Sequence, residues 1–219
     1  ALSRVLALNT PIKVLPEAQR FFSGLADSEP DPKRAAELRD VQGALKDPAF
    51  ATWFFSHRTW NAMVRNTIAL TQLEGSTKTN VIPAQAQATL DCRLLPGEDL
   101  HAFIASIRAL VKPDNVEVTS LEAEPSVRPS STNTELFRCV EDVIHQSFPT
   151  VPIVTPYSRA ANDSRFFQAR GIVCYGFTPF VMTQAELDAQ HGNDERLSVE
   201  NIRRGTRMIY EISKRFAGR

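Results

Sequence analysis

Asn80 and Arg93 stand thirteen positions apart, and their types suit two halves of one task. An amide donates to a polarised carbonyl, and a guanidinium grips a carboxylate through two parallel hydrogen bonds. The plainer alternative makes Asn80 a loop cap and pairs an outward Arg93 with its neighbour Asp91. His191 is the third group of interest. In QHGNDER (190–196) it precedes Gly192, which lets the backbone turn tightly and present the imidazole. Such a His suits zinc, but no HxxxH, HxD or paired Cys lies nearby, and catalytic zinc takes three protein ligands. His57, His101 and His145 fall inside helical patterns and have less claim. The fourth place is YSRAAND (157–163), a polar loop between an apolar run and a helix start, where α/β proteins bind ligands. Asn162 and Asp163 there either help free helix amides to bind an anion, or Asp163 simply caps the helix. No GxSxG elbow, Walker loop or dinucleotide fingerprint occurs.

The element that must carry Asn80 and Arg93 is a hairpin. From Ala84 the chain alternates, with Ala84, Ala86, Ala88, Leu90, Cys92 and Leu94 on one face and Gln85, Gln87, Thr89, Asp91 and Arg93 on the other. A period of two predicts a half-buried strand. Thr67–Leu73 is rich in β-formers, and Gly75–Thr79 is the polar loop between the two. Asn80 and Arg93 are expected to face one cleft. Pro96-Gly97 ends the hairpin, and Asp99 caps a helix with Leu100, Phe103, Ile104, Ile107, Leu110 and Val111 on its apolar face. Val116–Leu121 then reads as a strand. The order helix, strand, strand, helix, strand is a ferredoxin-like split βαβ unit without its first strand.

Upstream, residues 1–9 read as a short helix. Residues 15–65 form a helical stretch broken at Pro30, Pro32 and Pro48, with Asp27, Asp31 and Asp47 as starts. The stripe Phe50, Trp53, Phe54, His57, Trp60 and Val64 reads as packing. Downstream, Thr132 and Glu135 make a capping box for a helix that buries Leu136, Val140, Val143, Ile144 and Phe148. Val151–Thr155 and Ile172–Phe177 read as strands buried on both faces, with a short helix between them ended by Gly171. The last helix starts at Ser198 and runs its stripe through Ile202, Ile209, Ile212 and Phe216. The fold class is therefore α+β, divided at residues 122 and 123, with part of an α/β layer architecture in the second portion.

A formal net charge of zero offers no field to attract nucleic acid or an anionic membrane, and the apolar runs are too short to span a bilayer. Cys92, Cys139 and Cys174 lack CxxC spacing and sit in apolar patterns. They read as free buried thiols, which leans toward a reducing compartment such as the cytoplasm. The chain opens at Ala1 directly into LSRVLAL, which reads as the continuation of something longer.

Together these segments resemble the C-terminal part of the di-zinc aminoacylase and carboxypeptidase family. NTIALTQLEGSTKTNVIPAQAQATLDCRLLPGED resembles its lid-domain hairpin, NDSRFFQARGIVCYGFTPF its Gly-Gly-Thr-Asp-Ser loop and following strand, and HGNDERLSVENIRRG its last metal-ligand segment. The stretch at 15–65 is similar to the insertion of the carboxypeptidase S and N-acyl-amino-acid hydrolase branch. The resemblance implies a lid (dimerisation) domain over 1–122 and the C-terminal portion of a zinc-hydrolase catalytic domain over 123–219. It implies His191 as a ligand in a site of two zinc ions. Asn80 and Arg93 become the groups that hold the scissile carbonyl and the terminal carboxylate. The loop at Ala160, Ala161, Asn162 and Asp163 completes the carboxylate pocket, although Ala160-Ala161-Asn162 replaces the family's Gly-Gly-Thr and stiffens it. The implied substrate is an N-acyl amino acid or small peptide, and the implied assembly is a homodimer through the lid. The general base and remaining zinc ligands are expected upstream, which leaves no catalytic residue in this chain. The rival expectations are a non-catalytic dimerisation module or one half of a split enzyme.

Overall fold

The computed structural model describes residues 1–121, 127, 129–155 and 162–218, apart from the side chains of Arg58, Gln184 and Asp188. The chain divides into two compact units, Ala1–Pro129 with Val154–Arg165, and Ser130–Ile153 with Phe166–Arg219. The fold is α+β, mostly helical, and among the described residues its sheet has two strands.

Proline and aspartate set the helix starts of the first unit. After α1 (Leu2–Leu6) come α2 (Pro16–Ala26), α3 (Pro32–Arg39), α4 (Val41–Ala44), α5 (Pro48–Ser56) and α6 (Arg58–Val64). Pro16, Pro32 and Pro48 occupy first helical positions, where a missing N–H costs nothing. Asp31 and Asp47 accept from the amides of Lys33 and Ala49 as caps. Asp27, expected to start a helix, instead follows the end of α2, because the next helix waits for Pro32. Phe22, Leu38, Val41, Phe50, Phe54, Met63 and Val64 are fully buried, and Trp53 and Trp60 pack on them. The aromatic stripe is packing, with the Phe22 ring 5.0 Å from Phe54 and 5.4 Å from Trp60. His57 separates α5 from α6 and stacks on Trp60 at 4.1 Å.

The hairpin pairs β1 (Thr67–Glu74) with β2 (Gln87–Arg93) in antiparallel register, from Thr67 opposite Arg93 to Glu74 opposite Gln87. The second strand is shorter than its alternation predicts, since residues 84–86 stay in the loop. A bulge between Leu70 and Gln72 adds one residue to β1, so Leu73 comes opposite Ala88 and returns to the face that carries Leu70 and Leu90. Beneath that face, α7 (Leu100–Val111) buries Ile107 and Val111 with Val5, against Ile68 and Leu90. Asp99 caps α7 through the amides of His101 and Ala102. Cys92 is exposed rather than buried, because that cluster takes in Ile68 and Leu90 but not Cys92. The expected third strand at Val116–Leu121 does not form. The Arg108 guanidinium donates to the Val118 carbonyl at 3.0 and 3.2 Å, occupying a group a ladder would use. The split βαβ pattern therefore lacks both outer strands among the described residues.

In the second unit α8 (Glu135–Ser147) starts two residues after the expected cap: Thr134, not Thr132, accepts from the Phe137 amide at 3.0 Å. Thr134 is also the residue that bonds the Tyr175 hydroxyl, which fixes the helix start there. Val151–Thr155 and Ile172–Phe177 are not strands. Strands buried on both faces need paired neighbours, and none exists among the described residues. Val151, Ile172 and Val173 are accordingly exposed. The Ser130 hydroxyl instead holds the second segment by accepting from the Cys174 amide at 3.1 Å. After α9 (Ser164–Gln168) and α10 (Gln184–Asp188) comes α11 (Val199–Ala217), capped by Ser198. Its expected stripe is corrected too. Asn201, Gly205, Met208 and Ile212 are buried, whereas Ile202, Ile209 and Phe216 are exposed. Buried Asn201 turns the helix, because its amide group bonds the Val181 N–H and C=O at 3.0 and 2.8 Å. No helix among the described residues is long and apolar enough to cross a membrane.

Candidate functional site

Arg93 closes the base of the hairpin, opposite Thr67, while Asn80 lies in the exposed loop beyond the Glu74–Gln87 pair. Six residue steps from Gln87 to Arg93 span about 20 Å at the usual strand rise, so the ladder holds the two groups at opposite ends. Asp91, two residues before Arg93 and so on the same face, accepts from Arg93 Nε at 3.1 Å. The two side chains are 53% and 44% exposed, so the pair fixes an orientation and adds little stability.

A group that the sequence reading passed over holds this hairpin in place. Asn66, at the start of β1, is buried, and all its polar atoms apart from the backbone amide have partners. Its Oδ1 accepts from the Leu95 amide at 2.8 Å, its Nδ2 donates to Glu98 Oε2 at 3.2 Å, and its carbonyl accepts from Thr10 Oγ1 at 2.6 Å. Lys13 donates to the other Glu98 oxygen. That bond, with help from Asn66 and against partial burial, holds the Glu98 carboxyl below the usual glutamate range. Asn66, through its carbonyl and its side chain, thereby joins the chain before α2, the first strand and the turn after the second. Gly97 makes that turn possible at φ +80°, a conformation a side chain resists. No sequence pattern marks it, because its partners lie 29, 32 and 56 residues away.

Of the segment YSRAAND, Tyr157 to Ala161 lie outside the described residues, as does the expected domain boundary at 122 and 123. Asn162 and Asp163 are both exposed and belong to the first unit. The α9 start is held by Asn162, whose Oδ1 accepts from the Ser164 amide at 3.0 Å, so Asn162 takes the capping role expected of Asp163.

His191 lies in the second unit, in the loop after α10. A capping box formed by Thr183 and Glu186 starts that helix. The left-handed conformation falls on His191 itself, at φ 59°, and again on Asp194 at φ 62°, not on Gly192. Gly192 serves the turn by space, since a Cβ there would stand 3.2 Å from the Ala189 carbonyl oxygen. Glu195 Oε2 accepts from the His191 amide at 3.1 Å and braces the strained residue. The imidazole is exposed. Among the described residues no group of three or more His, Cys, Asp or Glu side chains is gathered to hold a metal ion. The donor set here is one imidazole and does not by itself meet the needs of a catalytic zinc.

The first unit thus holds a helical bundle followed by a hairpin that is backed by one helix and carries an oriented arginine at its base. Residues 8–119 match the peptidase dimerisation domain of M20 peptidases, and the chain belongs to that family. It is 33% identical to the N-fatty-acyl-amino acid synthase/hydrolase PM20D1 of Mus musculus, covering 69% of this chain and 31% of that protein. It is 29% identical to the probable carboxypeptidase S-like 2 of Dictyostelium discoideum, covering 78% of this chain and 33% of the other. Aminoacylase-1 of Homo sapiens is 29% identical, over 69% of this chain and 39% of the relative. The chain thus spans about a third of the length of the curated relatives it matches. An M20 family metallo-carboxypeptidase from Sulfolobus solfataricus shares the fold with a TM-score of 0.56 at 15% identity, over 97% of this chain and 51% of that one.

Proposed function

We propose that residues 1–122, with the insertion at 15–65, are the ferredoxin-like lid, and residues 123–219 the C-terminal portion of the catalytic domain, of an M20 hydrolase. It cleaves the amide bond of N-acyl amino acids or small peptides with a free carboxylate. The observation that carries this reading is the place of Arg93. It lies inside the matched dimerisation domain, at the end of a rigid ladder, with its Nε edge already oriented by Asp91. A pre-oriented guanidinium loses less freedom on gripping a carboxylate than a lysine would. Asn80 holds the scissile carbonyl, for which the loop at residues 75–86 must bring it back along the ladder toward Arg93, and Asn162 and Asp163 border the carboxylate pocket. His191 is one ligand of a two-zinc centre whose other ligands and general base lie elsewhere in the full-length enzyme. The residues described here do not complete that centre, so their own share of the chemistry is to hold and orient the substrate. The apolar face that α11 leaves exposed, Val199, Ile202, Ile209 and Phe216, suits a unit that is one part of a larger domain.

In the full-length protein, Arg93→Ala is expected to raise KM about tenfold or more for an N-acyl amino acid, the loss of one charge-assisted bond. The carboxyl-amidated analogue should change little. Equal losses on both substrates would remove the carboxylate role from Arg93. The lid, whose sheet has two strands and unpaired edges among the described residues, pairs with a second lid into a homodimer. Sedimentation of the full-length protein as a strict monomer at high concentration would refute the pairing.

A further inference from the structure

Arg93 is the last residue of β2 and stands opposite Thr67, the first of β1, so it ends the ladder. Two residues on, Leu95 is fixed. Its amide donates to Asn66 Oδ1 at 2.8 Å, its carbonyl accepts from the Glu98 amide at 3.1 Å, and its side chain is buried. Only Leu94 separates that anchor from Arg93. The anchor is held in turn, because the Asn66 carbonyl accepts from Thr10 Oγ1 and its Nδ2 donates to Glu98 Oε2. Glu98, ionised beside Lys13, can only accept. It therefore takes the Nδ2 end of the Asn66 amide and turns the Oδ1 end toward Leu95. The Asn66 side chain thus ties the two strands together by one bond beyond their last ladder pair. A terminal pair is the first to fray. Without the Leu95 anchor, the Arg93 backbone would more readily leave the extended geometry that sets its side chain on the face of Asp91.

We propose that Asn66 is a positioning residue for Arg93: by holding the Leu95 amide it fixes the backbone at the hairpin base, and so sets how tightly the guanidinium grips a substrate carboxylate. This rests on the carboxylate role of Arg93 given above. Asn66 is buried and touches no substrate in this scheme.

The test is a double-mutant cycle of Asn66→Ala and Arg93→Ala in the full-length protein, with an N-acyl amino acid and its carboxyl-amidated analogue as substrates. Asn66→Ala raises KM for the free carboxylate severalfold at nearly constant kcat and leaves the analogue unaffected. In the Arg93→Ala background it adds nothing to KM, although its loss of stability in urea persists. Asn66→Asp combined with Glu98→Gln exchanges donor and acceptor between the pair but keeps an acceptor for Leu95, and it restores KM. Asn66→Gln carries the same groups one methylene further out, and gives the KM rise should the alanine variant fail to fold. Val41→Ala, a cavity in the bundle of the same unit, lowers stability and leaves KM unchanged. Equal rises on both substrates, additive KM effects in the cycle, or a matching rise in Val41→Ala overturn the positioning role. If Arg93→Ala discriminates the two substrates while the Asn66 variants do not, only the present inference fails. If Arg93→Ala itself does not discriminate, the carboxylate reading has failed and this inference with it.

Discussion

Truncating Asn66 to alanine tests whether the buried hub or the hydrophobic face holds the hairpin in place. The substitution leaves the carbonyl that accepts from Thr10 but removes both side-chain bonds. The Leu95 amide is then left in a buried place without its acceptor, a loss of about 1–3 kcal/mol. The bond to the Glu98 carboxylate adds about 1 kcal/mol, below the usual gain for a charged partner because that side chain is 21% exposed. The sum is about 2–4 kcal/mol. At a urea slope of about 2 kcal/mol per molar, the midpoint falls by about 1–2 M. Trp53 and Trp60 both lie in the first unit, so their fluorescence follows this transition. Asn80→Ala, in the exposed loop, is the control. If Asn66→Ala moves the midpoint no further than that control, the hub contributes nothing, and the hairpin rests on its contacts with Ile68, Leu90, Ile107 and Val111. Asn66→Asp sharpens the reading. It keeps an acceptor for Leu95 but sets a second carboxylate against Glu98, so its deficit should shrink as the pH falls.

Glu98 makes a separate prediction. Its folded pKa is depressed, first by the bond from Lys13, so its contribution is complete above the ordinary glutamate value of about 4.3 and is lost as pH falls through the folded value. The stability gap between wild type and Glu98→Gln should be widest near neutrality and close in acid; a gap independent of pH would refute the linkage. In the second unit, a Cβ at Gly205 would stand 2.6 Å from Phe180 Cε1 and 3.1 Å from the Pro179 carbonyl oxygen. Gly205→Val should destabilise that unit by about 1–3 kcal/mol, read as faster amide exchange at Met208 and Ile212, and unchanged exchange would show that the α11 seat is looser than the geometry says.

What was legible in the sequence was whatever a short window decides. Pro32 and Pro48 with Asp31 and Asp47 mark helix starts, and Asp99 marks another, because a cap and its amide lie within three residues. The aromatic stripe from Phe50 to Val64 showed its packing role by spacing alone. Strands were legible only where their partner is also local. The hairpin forms, whereas Val151–Thr155 and Ile172–Phe177 have the right apolar character and no neighbour to bond. The face of α11 was misjudged for a related reason. The helix is apolar over two adjacent sectors, and which one is buried depends on Asn201 finding the backbone of Val181 twenty residues away. At the site, the Asp91–Arg93 pair was readable from the i, i+2 spacing on one strand face. The Asn66 hub was not, since it gathers Thr10, Lys13, Leu95 and Glu98 across distances no pattern spans.

His191 shows how the structure alters a reading without changing the residue. From the sequence, Gly192 is the hinge that presents the imidazole. In the structure the histidine itself takes φ 59°, a conformation that costs a non-glycine residue on the order of 1 kcal/mol. Such a cost persists only where the surroundings determine it. Here Glu195 holds the His191 amide, Gly192 turns back to bond the Ala189 carbonyl at 2.9 Å, and the loop is bounded by the capping box of α10 on one side and the Ser198 cap of α11 on the other. A loop that only connected two helices would be expected to relax this residue into the ordinary region, or to place its glycine there. The loop instead places the left-handed conformation on His191 and on Asp194 rather than on Gly192, and at His191 it sets the direction of the Cα–Cβ bond. For the ligand role proposed above, that fixed bond direction narrows the positions the ring can reach.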